Sequence, residues 1–131
     1  VLAQTSARTA VVFEGINDVR WGTTAEQVIA GLRAIADRGH ARGLRMLAAT
    51  ILPCEGEVRC TAWADVERSE VNAWIRASGV FDGVLDFDAV VRDPAQPSRM
   101  LPAYDSGDHL HPGDSGLAAM ARSVDLGALV P

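Results

Sequence analysis

Lysine is absent from this 131-residue chain, and its 12 cationic side chains other than histidine are all arginine. These arginines are scattered singly and outnumbered by 17 acidic residues, for a formal net charge of -5. No basic stripe exists that could neutralise a phosphate backbone, which argues against nucleic acid as a partner. Arginine without lysine, together with abundant alanine, reads as a coding-composition bias, not as chemistry. Long hydrophobic runs are missing too. Leu47-Ala48-Ala49-Thr50-Ile51-Leu52 is typical of the longest, far short of the roughly 20 apolar residues that a membrane span needs. The chain opens on Val1 with no basic-then-apolar leader behind it, so it is expected to be a processed product or a fragment. Cysteine is nearly absent. Cys54 and Cys60 lie close together in a polar stretch rich in glycine and glutamate, where they can close a small disulfide loop or remain two free thiols. What the chain has in quantity is apolar side chain. A hydrophobic share of 48% over this length is enough to bury a core, and residues 1–131 are expected to form a single domain.

Apolar periodicity organises the chain. Thr9-Ala10-Val11-Val12-Phe13-Glu14 is short and β-branched and runs into Gly15, as a buried strand does when it opens into a polar turn. Thr23 with Glu26 and Thr24 with Gln27 both have capping-box spacing. Ala25, Val28, Ile29, Leu32, Ile35 and Ala36 then predict an amphipathic helix ending near Gly39 or Gly43. Leu44 to Ile51 reads as a second buried strand, closed by Pro53. A second helix is expected from about Asp65, with Val71, Trp74 and Ile75 on one face and Gly79 as its stop. Gly83 to Phe87 reads as a third strand. The proline-rich stretch from Asp93 to Tyr104 is expected to be held by side chains. A last helix begins near Asp114 or Ser115, where those two residues are expected to cap it, and carries Leu117, Met120, Ala121 and Val124 at the helical period. Strands alternating with helices imply a parallel sheet covered on both faces, with functional residues at the C-terminal ends of the strands.

Two polar clusters carry the chemistry. Asp108 and His111 are three residues apart, a spacing that lets a turn bring the carboxylate to the imidazole Nδ1 and leaves Nε2 to accept a proton. Pro112 and the following helix start would hold His111 rigidly. Gly15-Ile16-Asn17-Asp18 follows a strand, and Asn17 can aim its amide donor at a developing oxyanion, a contact worth roughly 3 kcal/mol in a transition state. Gly15 permits close backbone approach beside it. Trp21 and Tyr104, in the segments next to the two clusters, are candidates to line a substrate cleft. His109 and His111 with Asp105, Asp108 and Asp114 offer a different reading, a metal site on alternate residues of an extended segment.

Taken together, a strand, Gly15-Ile16-Asn17-Asp18, about ninety residues of alternating helix and strand, and Asp108-x-x-His111-Pro112 before a last helix resemble the SGNH (GDSL-type) lipase and acylhydrolase family. Leu101 to Pro112 also looks like a segment of that family. The resemblance implies a flavodoxin-like, three-layer α/β/α fold truncated at its N-terminus. It implies ester hydrolysis by a serine, with His111 as base, Asp108 as its orienting acid, Asn17 as oxyanion donor, and Gly15, Trp21 and Tyr104 near a small-molecule ester. No cofactor or metal is implied, and a secreted or periplasmic setting is favoured over a cytoplasmic one.

The departure from the pattern is the nucleophile. The Gly-Asp-Ser block expected ahead of Gly15 does not occur there, and only residues 1–8 precede the first strand. Gly113-Asp114-Ser115 has the right letters but follows His111 and opens a helix, and Ser106 precedes the acid within the same turn; neither is expected to serve. The chain alone is therefore expected to be inactive, and its first strand, central in the family's sheet, to self-associate or to pair with the missing half. Two other readings stand beside this one. A catalytically silent module would be stabilised by an acyl or sugar ligand without forming product, and a metal-dependent hydrolase would respond to a chelator.

Overall fold

The computed structural model describes residue 4 and residues 6–130. Its elements run β1 (Thr9–Val12), α1 (Ile16–Arg20), α2 (Ala25–His40), β2 (Arg45–Ala49), α3 (Ala62–Ala77), β3 (Gly83–Leu85), α4 (Phe87–Val91) and α5 (Asp114–Ser123), followed by a 3-10 helix at Leu126–Leu129. The three strands are parallel in the order β1-β2-β3, with Thr9 opposite Arg45 and Leu47 opposite Gly83.

Successive side chains of a strand point to opposite faces, and β2 uses both. Met46 and Ala48 join Ala10, Val12, Val28, Leu32, Val71 and Ile75 in a core beneath α1, α2 and α3. Ala49 joins Phe87, Val91, Met100 and Met120 beneath α4 and α5. The result is the three-layer α/β/α arrangement. β1 is an edge strand among the described residues; Val11 on its second face is 47% exposed, and Phe13, just past its end, is 43% exposed and meets the Phe87 ring edge-on at 5.5 Å.

The caps explain where the helices start. Thr24 and Gln27 form the capping box of α2, and Thr61 caps α3 by accepting from the Ala64 amide, so that helix starts at Ala62, slightly ahead of Asp65. Four expectations are corrected. The residues after Gly15 form the short helix α1 in place of an open turn, because Gly15 turns the chain at φ 116 and Val19 then buries itself in the core. The third strand stops at Leu85, because the Asp86 side chain accepts from the Ala89 amide and starts α4. α5 has Gly113 at its N-cap with no side-chain capping bond, so neither Asp114 nor Ser115 caps it. The stretch after Arg92 is held by backbone as well as side chain, through Asp93 N–H to Arg99 O (2.8 Å), Leu101 N–H to Val91 O (2.9 Å) and Ser98 Oγ–H to Asp65 Oδ2 (2.6 Å).

Past the end of β2 the chain leaves the ladder at Ile51, and buried polar groups there must find other partners. Asn72, 1% exposed, supplies them: its Oδ1 accepts from Ile51 N–H (2.7 Å) and its Nδ2 donates to Ile51 O (2.8 Å). Arg68 Nη1 adds a bond to the same carbonyl (3.2 Å) and one to Asp88 Oδ1 (2.8 Å). This buried clamp fixes the strand end that bears Ile51 and Leu52. Beyond it, Cys54 and Cys60 form a disulfide around residues 55–59.

Candidate active site

The segment from Tyr104 to Gly113 is a tight, self-braced loop. Ser106 N–H donates to His111 O (3.0 Å) and Gly113 N–H to Tyr104 O (2.7 Å), pinning its two ends together. Inside it, Asp108 Oδ1 accepts from the Leu110 amide (2.9 Å), the His111 amide (2.8 Å) and the Ser106 hydroxyl (3.0 Å), while Oδ2 lies 2.6 Å from His111 Nδ1. The hydrogen bond from the His111 ring, reinforced by the two amides, holds the Asp108 carboxyl well below the usual carboxylate range. A carboxylate that stays ionised keeps the proton on Nδ1 and leaves Nε2 as the acceptor.

His111 and Pro112 face Asn17 across a cavity of about 160 Å³, whose walls also include Phe13, Glu14, Ile16, Ile51, Leu52 and Leu110. Three separate stretches meet there: the end of β1 with α1, the end of β2, and the loop before α5. Apolar side chains dominate the lining, with Glu14, Asn17 and His111 as its polar residues.

The other predicted site residues lie outside that lining. Gly15 is buried one step behind it: a Cβ there would sit 2.8 Å from Ile51 Cδ1, so glycine is needed for packing and for its positive φ. Trp21 is 67% exposed and lies in a different groove with Val58 and Trp63, covered by the Arg59 guanidinium at 3.7 Å. The Tyr104 ring packs against the second core cluster, and its backbone anchors the loop. Both aromatics are thus adjacent to the motifs in sequence but directed elsewhere by packing. Ser106 spends its hydroxyl on Asp108, and Ser115 is exposed in the first turn of α5.

His109 is engaged in a second pair, its Nδ1 2.6 Å from Asp105 Oδ2. Burial opposes ionisation of Asp105, yet the Gly107 and His109 amides and the His109 ring hold its carboxyl below the usual range. With each histidine facing its own aspartate, no group of three or more His, Cys, Asp or Glu side chains is placed to hold a metal among the described residues.

Sequence reasoning missed what ties the cavity's Asn17 side to the disulfide loop. Arg20 Nε and Nη2 meet Glu57 Oε2 and Oε1, both at 2.9 Å, and Arg20 Nη1 meets Asn17 Oδ1 at 3.0 Å. The i, i+3 spacing of Asn17 and Arg20 was readable once α1 was known to be helical; Glu57, 37 residues away, carried no local signal.

A parallel three-layer α/β fold with a cavity beside the strand C-termini defines the class. Within it, the model of the GDSL-like lipase/acylhydrolase family matches residues 1–119, and the chain belongs to that family. Solved structures agree in fold. A GDSL-like lipase from Bacteroides thetaiotaomicron VPI-5482 superposes with a TM-score of 0.75 at 18% identity, over 92% of this chain and 62% of that one. A protein assigned as an acylhydrolase from Bacteroides fragilis NCTC 9343 gives 0.77 at 16%, over 92% and 61%. A lipolytic protein of the G-D-S-L family from Desulfitobacterium hafniense DCB-2 gives 0.70 at 19%, over 90% and 63%. The chain thus spans a little over three fifths of the length of these structures. No curated protein matches it. No helix among the described residues is long and apolar enough to cross a membrane.

Proposed function

We propose that residues 1–131 supply the base, the acid and an oxyanion-hole amide of a carboxylic-ester hydrolase whose serine nucleophile lies outside them. The observation that carries this reading is the convergence of His111, tautomer-fixed by Asp108, and Asn17 on one cavity. In the proposed reaction the serine oxygen bonds to the ester carbonyl carbon while His111 Nε2 takes its proton. Asn17 Nδ2–H donates to the oxygen that becomes negative. His111 then returns the proton to the departing alcohol, and water repeats the cycle on the acyl-serine. Phe13, Ile16, Ile51, Leu52 and Leu110 give the acyl group an apolar wall. The chemistry requires no metal or cofactor.

Among the described residues β1 has an unpaired edge, and the strand that carries the serine is seated there, since Val11 and Ile35 lie open beside it. Without that strand the edge is a template for self-association, seen as a sedimentation coefficient that rises with concentration. The Cys54–Cys60 disulfide supports a secreted or periplasmic setting. The test is hydrolysis of a short-chain aryl ester by a polypeptide that includes the serine segment. His111→Ala should lower kcat by roughly 10²- to 10⁴-fold and Asn17→Ala by about 10²- to 10³-fold. Full activity in either variant would overturn the assignment.

A further inference from the structure

Arg20 is 11% exposed in its side chain and Glu57 15%, and the two meet fork to fork, an arrangement that fixes a guanidinium plane in orientation as well as position. The Arg59 amide also donates to Glu57 Oε2 (2.9 Å), within the loop closed by Cys54 and Cys60. The pairing with Arg20 holds the Glu57 carboxyl below its ordinary range. The remaining Arg20 nitrogen, Nη1, faces the Asn17 carboxamide. A guanidinium has only donors, so the carboxamide atom that meets it must be the oxygen. The two faces of an asparagine amide are otherwise interchangeable in shape, and nothing local decides between them. With Oδ1 committed to Arg20, the Nδ2 donor is turned away from it, and Asn17 is part of the cavity wall.

We propose that Arg20, anchored by Glu57 of the disulfide-closed loop, is a positioning residue that sets the flip of the Asn17 carboxamide and presents its Nδ2–H to the cavity. This rests on the reading of Asn17 as the oxyanion donor. The same loop braces the other side of the site. A Cβ at Gly56 would lie 2.8 Å from His109 Cγ, so the loop backbone is in contact with the ring that Asp105 holds. One short loop therefore touches both the segment that bears the amide and the segment that bears the base.

Kinetics of the serine-containing polypeptide on a short-chain aryl ester test the catalytic consequence. Arg20→Ala should lower kcat about 10- to 100-fold with KM within twofold, a part of what removing an oxyanion donor costs. Arg20→Lys should recover some of the loss, because an ammonium can still donate to Oδ1. In an Asn17→Ala background, Arg20→Ala should cost no further kcat, since there is no amide left to orient. A second full loss in that background, or a loss confined to KM, would make Arg20 a structural residue and overturn the proposal. Should Arg20→Ala fail to fold, Arg20→Lys and Glu57→Gln carry the same comparison. A separate arm needs no turnover: the heteronuclear NOE of the Asn17 side-chain NH2 in the ¹⁵N-labelled serine-containing polypeptide. It should be high in the wild type and fall in Arg20→Ala and Glu57→Gln, and an unchanged value refutes the positioning whatever the kinetics give. If Asn17→Ala keeps full kcat while the NOE falls, the oxyanion reading fails and the orientation by Arg20 stands.

Discussion

Replacing Asn72 with alanine removes both bonds that close the Ile51 peptide at the end of β2. The two losses are unequal. Ile51 O keeps the Arg68 Nη1 bond at 3.2 Å, so losing the Asn72 Nδ2 donor costs about 1 kcal/mol, the net value of an ordinary hydrogen bond. Ile51 N–H has no substitute and stays buried, at about 1–3 kcal/mol for an orphaned group. The expected destabilisation is therefore about 2–4 kcal/mol. For a domain of this size that is a fall in Tm of roughly 10 °C. Urea unfolding followed by tryptophan fluorescence should show a lower midpoint at unchanged m-value. Asn72→Asp separates hydrogen bonding from packing. At neutral pH its carboxylate would set an oxygen against Ile51 O in a buried site, so it should be at least as unstable as the alanine variant. Its deficit relative to wild type should shrink on acidification, once a protonated carboxyl can donate to Ile51 O. An alanine variant within 0.5 kcal/mol of wild type, or an aspartate variant equal to wild type at neutral pH, would refute the clamp.

Three further perturbations probe the frame around the cavity. Gly15→Ala forces φ 116 on a Cβ that lies 2.8 Å from Ile51 Cδ1, so strain and overpacking together should cost about 2–5 kcal/mol in urea unfolding; a change below 0.5 kcal/mol would show that α1 can enter otherwise. Serine at both Cys54 and Cys60 opens a short loop and should cost about 2 kcal/mol by the chain-entropy relation, whereas equal midpoints with and without a reductant would mean the bridge stabilises nothing. Folding depresses the carboxyls of Glu57, Asp82, Asp86, Asp105 and Asp108. Groups depressed in this way stabilise the fold above the ordinary carboxylate range near pH 4, and that contribution is lost as pH falls toward their folded values. Asp108→Asn should therefore flatten the acid limb of the stability profile below about pH 4, and an identical limb would contradict the depressed Asp108.

Long elements and local pairs were legible in the sequence. α2 announced itself through the Thr24–Gln27 box and a full apolar stripe, and the Asp108–His111 spacing placed an acid beside an imidazole because a three-residue turn leaves few alternatives. Short elements were not. α1 and α4 have five residues each, less than two turns, so no periodicity accumulates, and Asp86 could be read equally as strand interior or as the N-cap that it is. Sequence neighbourhood also carried no signal for the packing of Trp21 and Tyr104, whose rings go to Arg59 and to the core around Met120. The supports of the cavity were invisible because they are long-range: Asn72 reaches Ile51 across 21 residues and Glu57 reaches Arg20 across 37. His109 was readable only as a residue type, and its partner Asp105 emerges from a turn that needs φ 61 at His109 itself.

The central claim is that this chain holds the base and the oxyanion donor while the nucleophile comes from elsewhere. Turnover of a short-chain aryl ester by residues 1–131 alone, measured beside His111→Ala, tests it most directly. The account predicts that both give the same rate, indistinguishable from uncatalysed hydrolysis. Brisk turnover by the unmodified chain that disappears in His111→Ala would contradict it, because a nucleophile within these residues would then be working with His111.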